Sequence, residues 1–275
     1  MRYVVDHDLH IHTKQSPCSS DPKQSPERIW QYAVDNGFST VCLADHFWDE
    51  LVPAVSNWYE KCDFACIAES LSFTPPKDKG VRFLFGCETD IDKLFRLGVS
   101  RERMELFDFI VIPTTHMHMT GLTVDAEDSA PERRAELYVK RLDALLSMDL
   151  PFEKVGIAHL TCPLLSNFET HLDVLDMVSD EVFHGLFARA AKLKTGIELN
   201  FEVRNYKTEA DLARVLRPYR IAKEEGCLFY FGSDAHHEDV LLRSKSNFEE
   251  IVTLLNLTEA EKFKVPFKAD SLFLR

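Results

Sequence analysis

The chain has 275 residues, 45% hydrophobic and 28% charged, which is ample for a buried core and excludes a disordered polymer. A formal net charge of −13 opposes a nucleic-acid surface, because such surfaces need a Lys/Arg stripe that releases phosphate counterions. Charge enters at Arg2 and Asp6 before a signal-peptide apolar run develops, and no run reaches transmembrane length, so a cytoplasmic protein without a membrane partner is expected.

Strand-like and helical patterns alternate along the chain. Tyr3-Val4-Val5 reads as the first strand. Ser25-Pro26-Glu27 places an N-cap before Pro at N1, and the helix it opens runs to Asn36 and stops at Gly37. Thr40 to Ala44 is the second strand. A helical stretch around Ala54 to Ser72 ends at Pro75-Pro76, and the turn Lys77-Asp78-Lys79-Gly80 delivers the third strand, Val81 to Phe85. The charged segment Ser100 to Leu106 precedes strand four, Phe109 to Ile112. The long loop Thr114 to Ala130, rich in His, Met, Thr and Gly, is a candidate wall for a substrate pocket. Pro131 to Ser147 is an amphipathic helix before strand five, Val155 to Ala158. A helix within Thr170 to Lys192 leads to strand six, Gly196 to Phe201. Another, Glu209 to Glu225, stops at Gly226 before strand seven, Leu228 to Phe231, and a last helix lies near Asn247 to Leu255.

Strands spaced by helices imply right-handed βαβ units in a parallel sheet, so an α/β barrel of about seven strands is expected. No repeat, linker or low-complexity segment divides it, which favours one domain over residues 1–275. Seven scattered cysteines oppose a disulfide framework, and Cys62 and Cys66, one helical turn apart with no second pair, read as packing.

Nearly every strand-like run is followed by histidines or acids: Asp8-Leu9-His10-Ile11-His12, Asp45-His46, Glu88, His116, His159, and Ser233-Asp234-Ala235-His236. Strand ends converge in a closed parallel barrel, so the recurrence points to one metal site assembled from almost the whole chain. His10 and His12, two apart, face one side and can chelate one ion. Glu88 closes an apolar strand, where a carboxylate is costly unless paired or bound to a cation, and it could bridge two ions. Asp234 sits likewise after Gly232, which lets the backbone approach closely.

Together Asp8-Leu9-His10-Ile11-His12-Thr13, Ala44-Asp45-His46, Gly86-Cys87-Glu88, the lone His116 and His159, and Gly232-Ser233-Asp234-Ala235-His236 resemble the polymerase and histidinol phosphatase (PHP) family. The resemblance implies a distorted seven-stranded (β/α)7 TIM-like barrel holding two to three divalent ions, Zn, Mn or Fe. It implies hydrolysis of a small phosphomonoester by a metal-bridging hydroxide, with histidinol phosphate favoured over nucleotide or sugar phosphates. Its pattern assigns His10, His12, Glu88 and Asp234 to one ion, Glu88, His116 and His159 to a second, and Asp21, His46 and His236 to a third. Glu88, Asp234 and His236 form the catalytic set.

The chain departs from that pattern where Ser16-Pro17-Cys18-Ser19-Ser20 intervenes before Asp21. Asp8 and Asp45 are expected to hydrogen-bond ligand histidines. Asn200 resembles a family position near the site, His118 and His237 flank ligands, and Arg204, Arg96, Arg101 or Arg133 could bind a phosphate dianion. His7, His171 and His184 are expected at the surface or in packing.

Two other classes stay open: an amidohydrolase-type deaminase, opposed by Glu88 and by Asp45-His46, and a metal-bound non-catalytic domain, opposed by the nearly full ligand set. The chain lacks a Gly-x-Ser-x-Gly elbow, a Walker loop and a dinucleotide fingerprint, which removes serine hydrolases, NTPases and dehydrogenases. Oligomeric state is not legible.

Overall fold

Strands β1 (His7–Ile11), β2 (Thr40–Leu43), β3 (Arg82–Glu88), β4 (Phe109–Pro113), β5 (Val155–Ala158), β6 (Gly196–Leu199) and β7 (Leu228–Phe231) lie side by side in chain order, each neighbouring pair parallel. The computed structural model describes residues 1–19, 21–53 and 56–274. Helices α1 (Pro26–Asn36), α2 (Phe64–Ala68), α3 (Arg101–Met104), α4 (Pro131–Leu145), α5 (His171–Asp176), α6 (Asp180–Leu193) and α7 (Glu209–Glu224) fill the connections, and α8 (Glu238–Leu255) follows β7. The α1 boundaries are those expected: the Ser25 side chain accepts from Arg28 N–H, and Gly37 at φ 65° closes the last turn.

Several elements differ from expectation. The first strand is His7–Ile11 rather than Tyr3–Val5, so the polar cluster lies within the strand itself. The helix expected from Ala54 starts outside the described residues, and its described part is broken into short turns at Tyr59–Lys61, α2 and Glu69–Ser72. The stretch within Thr170 to Lys192 splits into α5 and α6 because Ser179 caps a new start at Val182 N–H. The last helix begins at Glu238, well before Asn247.

The barrel nearly closes between β1 and β7. At its site end the backbone does this: Asp234 N–H donates to His10 O at 2.8 Å and His12 N–H to Ala235 O at 3.2 Å. At the other end side chains replace the ladder. Phe231 N–H donates to His7 Nε2 at 3.1 Å, and the Tyr3 hydroxyl donates to Phe229 O at 2.8 Å. Burial lowers the His7 pKa, which keeps that acceptor lone pair free. His7 is thus a packing residue, buried in the seam.

Leu9, Leu84, Phe109, Val111 and Tyr230 fill the barrel interior with Phe263 and Val265 from the C-terminal tail, while a larger core lies between sheet and helices. Leu9 belongs to the inner cluster and Ile11 to the outer one, although a regular strand puts residues two apart on one face. The β1–β2 register shifts between Asp8 and Ile11, and this irregularity re-aims the strand where His10 and His12 emerge. Strand β3 pairs with β2 through Phe85 and with β4 from Gly86 onward. A Cβ at Gly86 would stand 2.5 Å from Cys42 Sγ and 2.6 Å from Phe109 O, so glycine allows the crossing that carries Glu88 to the barrel mouth.

Candidate metal centre

Glu88 is 1% exposed and lies among five imidazoles. Its Oε2 is 3.5 Å from His10 Nε2, 3.4 Å from His12 Nε2 and 3.0 Å from His46 Nδ1. Its Oε1 is 3.1 Å from His159 Nε2 and 3.8 Å from His116 Nε2. Asp234 faces the same space, with Oδ1 3.0 Å from His12 Nε2 and 3.5 Å from His10 Nε2. Ligand atoms within 4.8 Å of one another form the sets His10-His12-Glu88-Asp234, Glu88-His116-His159, His12-His46-His236 and His10-His159-Glu198. The first two coincide with the sets expected from sequence.

Glu88 Oε2 and His46 Nδ1 are buried without a hydrogen-bond partner. Buried polar groups are costly unless satisfied, and facing imidazole and carboxylate atoms are donors suited to Zn, Mn or Fe, so these residues fit the implied ions. His159 at φ 37° and Asp234 at φ 51° hold the left-handed conformation, a strain of about 1–3 kcal/mol each that clusters at functional sites.

A second set of residues orients the imidazoles. His10 Nδ1 donates to Glu198 Oε1 at 2.7 Å, and Glu198 Oε2 accepts His159 N–H at 3.0 Å, so one carboxylate on β6 ties β1 to β5. His116 Nδ1 donates to Asp90 Oδ2 at 3.0 Å, which also accepts the Tyr59 hydroxyl at 2.5 Å. Thr115 Oγ1 meets His159 Nδ1 at 3.0 Å. The Ser16 hydroxyl gives its one proton to Asp45 and therefore accepts from His12 Nδ1, at 2.7 and 2.8 Å. Each contact fixes an Nδ1 and leaves Nε2 toward the centre, the tautomer a cation requires.

Glu198 and Asp90 are absent from the sequence-based site. Glu198 interrupts the apolar run Ile197-Glu198-Leu199, the same signal that marked Glu88, while Asp90 repeats the two-residue spacing after Glu88. The roles expected of Asp8 and Asp45 need correction. Asp45 reaches His12 through Ser16, and Asp8 instead binds the Tyr32 hydroxyl and the backbone N–H groups of Ser233 and His10.

Asp21 is not brought to His46 and His236. Its Oδ1 accepts Lys23 N–H in a local turn at 2.9 Å, and His12 takes its place in the third set. The intervening segment instead brings Cys18 to the cavity above the centre. His118 lines that cavity too, whereas Asn200, Arg204 and His237 do not. The arginines are committed elsewhere: Arg204 to Glu202, Arg96 to Asp92, Arg101 to Asp149 and Arg133 to Asp128. Expected phosphate binding by these four is therefore not supported, because carboxylates already occupy their guanidinium groups.

Burial pushes the Glu88 carboxyl pKa up, but the surrounding histidines outweigh it and hold Glu88 well below its usual range. Burial likewise lowers His10 and His12, yet the carboxylates win, holding His10 well above its ordinary value and raising His12 to about 9. Without a cation, protons on these imidazoles balance Glu88 and Asp234. For His12, stability present below its ordinary 6.5 is lost as pH rises through about 9, while a cation becomes the better counter-charge. Zinc affinity should therefore rise between pH 6 and 9, by about tenfold per unit for each proton released. Titration calorimetry in buffers of different protonation enthalpy checks this, and a pH-independent affinity would contradict it.

A parallel barrel with such a buried imidazole–carboxylate mouth is suited to holding divalent ions. The PHP domain family model matches residues 8–271, and the chain belongs to that family. The fold is shared with the histidinol phosphate phosphatase of Lactococcus lactis solved with zinc, L-histidinol and phosphate: 16% identity, TM-score 0.60, covering 95% of this chain and 100% of that one. It is shared also with a Listeria monocytogenes structure whose assignment as a histidinol phosphatase is itself provisional: 15% identity, TM-score 0.60, covering 88% and 99%. No curated protein matches the sequence. Among the described residues no helix is long and apolar enough to cross a membrane.

Proposed function

We propose that residues 1–275 act as a single phosphatase domain that hydrolyses a small phosphomonoester, with histidinol phosphate the first candidate. The observation that carries this reading is Glu88, one carboxylate whose two oxygens face different histidine groups, His10, His12 and His46 on one side and His116 and His159 on the other. That arrangement would hold two divalent ions, His10, His12, Glu88 and Asp234 around one and Glu88, His116 and His159 around the other, and would leave His46 and His236 available to a third. Such ions, when bound, polarise a phosphoryl oxygen and lower the pKa of water.

The protein residues supply position and charge. Glu88 and Asp234 contribute the anionic donors, while Glu198, Asp90, Thr115 and Ser16 keep the imidazoles turned inward. In the reaction water oxygen bonds to phosphorus, the ester P–O bond breaks, and a proton from water ends on the departing alcohol. His236 lines the cavity with its pKa lowered by burial to about 4, so it is neutral when the reaction runs. The likeness to a structure containing L-histidinol and phosphate supports the substrate choice.

Purified protein should carry at least two divalent ions per chain and release phosphate from histidinol phosphate. Chelation should abolish the release and added Zn or Mn restore it. Protein without metal, showing no gain in activity or melting temperature on adding either ion, would remove this reading.

A further inference from the structure

The cavity above the centre has a volume of about 800 Å³, and its walls differ in character from its floor. The floor is imidazole and carboxylate. The walls come mainly from loops after three strands, Trp58 and Tyr59 after β2, Met119 and Leu122 after β4, and Leu164 after β5, with Cys18, Ser56, His118 and Thr120 adding a few polar groups. Trp48, Tyr59, Cys62 and Leu122, with Val52 and Met119 packed against them, form an apolar cluster separate from both the barrel interior and the helix-facing core. The Tyr59 hydroxyl is tied to Asp90 at 2.5 Å, and the Trp58 ring stands edge-on to His46 with centroids 4.9 Å apart. One wall is therefore fastened to the residues that orient the floor.

Among the described residues no Lys or Arg lines this cavity, and its carboxylates are Glu88 and Asp234 at the floor. A phosphate at the floor can be balanced by ions held there. A second phosphate or carboxylate on the same substrate would find no lysine or arginine on the walls to offset its lost hydration. A sugar would exchange water for a wall whose polar side chains are Ser56, His118 and Thr120, too few for its several hydroxyls. An aromatic ring, by contrast, buries its faces against Trp58, Met119 and Leu164.

Building on the phosphatase reading, we propose that the cavity selects phosphomonoesters of compact aromatic alcohols, and that Trp58 and Met119 determine this specificity. The chemistry at phosphorus is unchanged. What the walls choose is the departing alcohol.

The test compares 2-phenylethyl phosphate, histidinol phosphate, glucose 6-phosphate and adenosine 3′,5′-bisphosphate on zinc- or manganese-loaded protein. The aryl ester should match or exceed histidinol phosphate in kcat/KM and exceed the other two by at least about tenfold, the order one well-fitted apolar contact supplies. Trp58→Ala and Met119→Ala should each raise its KM by about tenfold with metal content unchanged. Independently of turnover, 2-phenylethylphosphonate should quench tryptophan fluorescence in wild-type protein and in Met119→Ala at higher concentration, but not in Trp58→Ala. Hydrolysis without preference, or an unchanged KM in both variants, overturns the specificity and leaves the phosphatase reading standing. Phosphonate binding without hydrolysis of any ester removes the phosphatase reading and keeps the aromatic subsite, and neither binding nor hydrolysis removes both.

Discussion

Glu88→Gln should leave a folded barrel whose phosphate release is slower by at least about a hundredfold, the scale lost when one preorganised electrostatic group is removed. Gln fills the same volume, so the packing against β2 and β4 survives. What disappears is the negative charge shared by His10, His12, His46, His116 and His159. Two cations held by neutral imidazoles and Asp234 alone would repel each other with less compensation, and metal content should fall below two ions per chain. The check combines kcat, elemental analysis and circular dichroism. Wild-type turnover, measured after contaminating phosphatases are removed, would take Glu88 out of its assigned role.

Gly232→Ala should produce a comparable failure with a single methyl group. A Cβ at this position would lie 2.1 Å from Glu198 Oε1 and 2.6 Å from His10 Cβ, closer than atoms can approach. Glu198 must then swing away, releasing His10 Nδ1 and His159 N–H together. Losing an orienting partner costs about 10–100-fold in metal affinity or activity, and overpacking adds about 1–3 kcal/mol of instability. Glu198→Gln, which keeps the volume, should reproduce the affinity loss with less instability. Zinc affinity and turnover at wild-type levels in both variants would show that the Glu198 contacts do not orient the centre.

The order of the fold was legible because β2 to β7 are apolar runs between capped helices, and α1, β5 and β7 fall where their local signals place them. β1 was displaced because hydrophobicity favours Tyr3-Val4-Val5, whereas the strand runs from His7 to Ile11, where His7, Asp8 and His10 are buried by what they bind to and only Leu9 and Ile11 by being apolar. The same asymmetry runs through the site. His10, His12, Glu88, His116, His159 and Asp234 are recognisable because unusual residues recur at strand ends, and the structure gathers them. Glu198 and Asp90 carried local signals, but their roles were not legible because the imidazoles they orient lie far from them in sequence. Asp21 and the arginines were misplaced for the converse reason: residue type and proximity in sequence do not show that Lys23 N–H or a neighbouring carboxylate has already claimed the group.

The seam between β1 and β7 sets the order of events during synthesis. Its hydrogen bond from Phe231 to His7 spans 224 residues, and Asp234 reaches its place only by lying against His10. Contacts this distant in sequence form slowly, because a long loop must be closed before any of them repays the cost. A nascent chain can present His10 and His12 early, yet it has no enclosed cluster until the ribosome has delivered the seventh strand and the polypeptide has completed its circuit. Capture of ions by the full cluster would therefore come late in this protein's biogenesis.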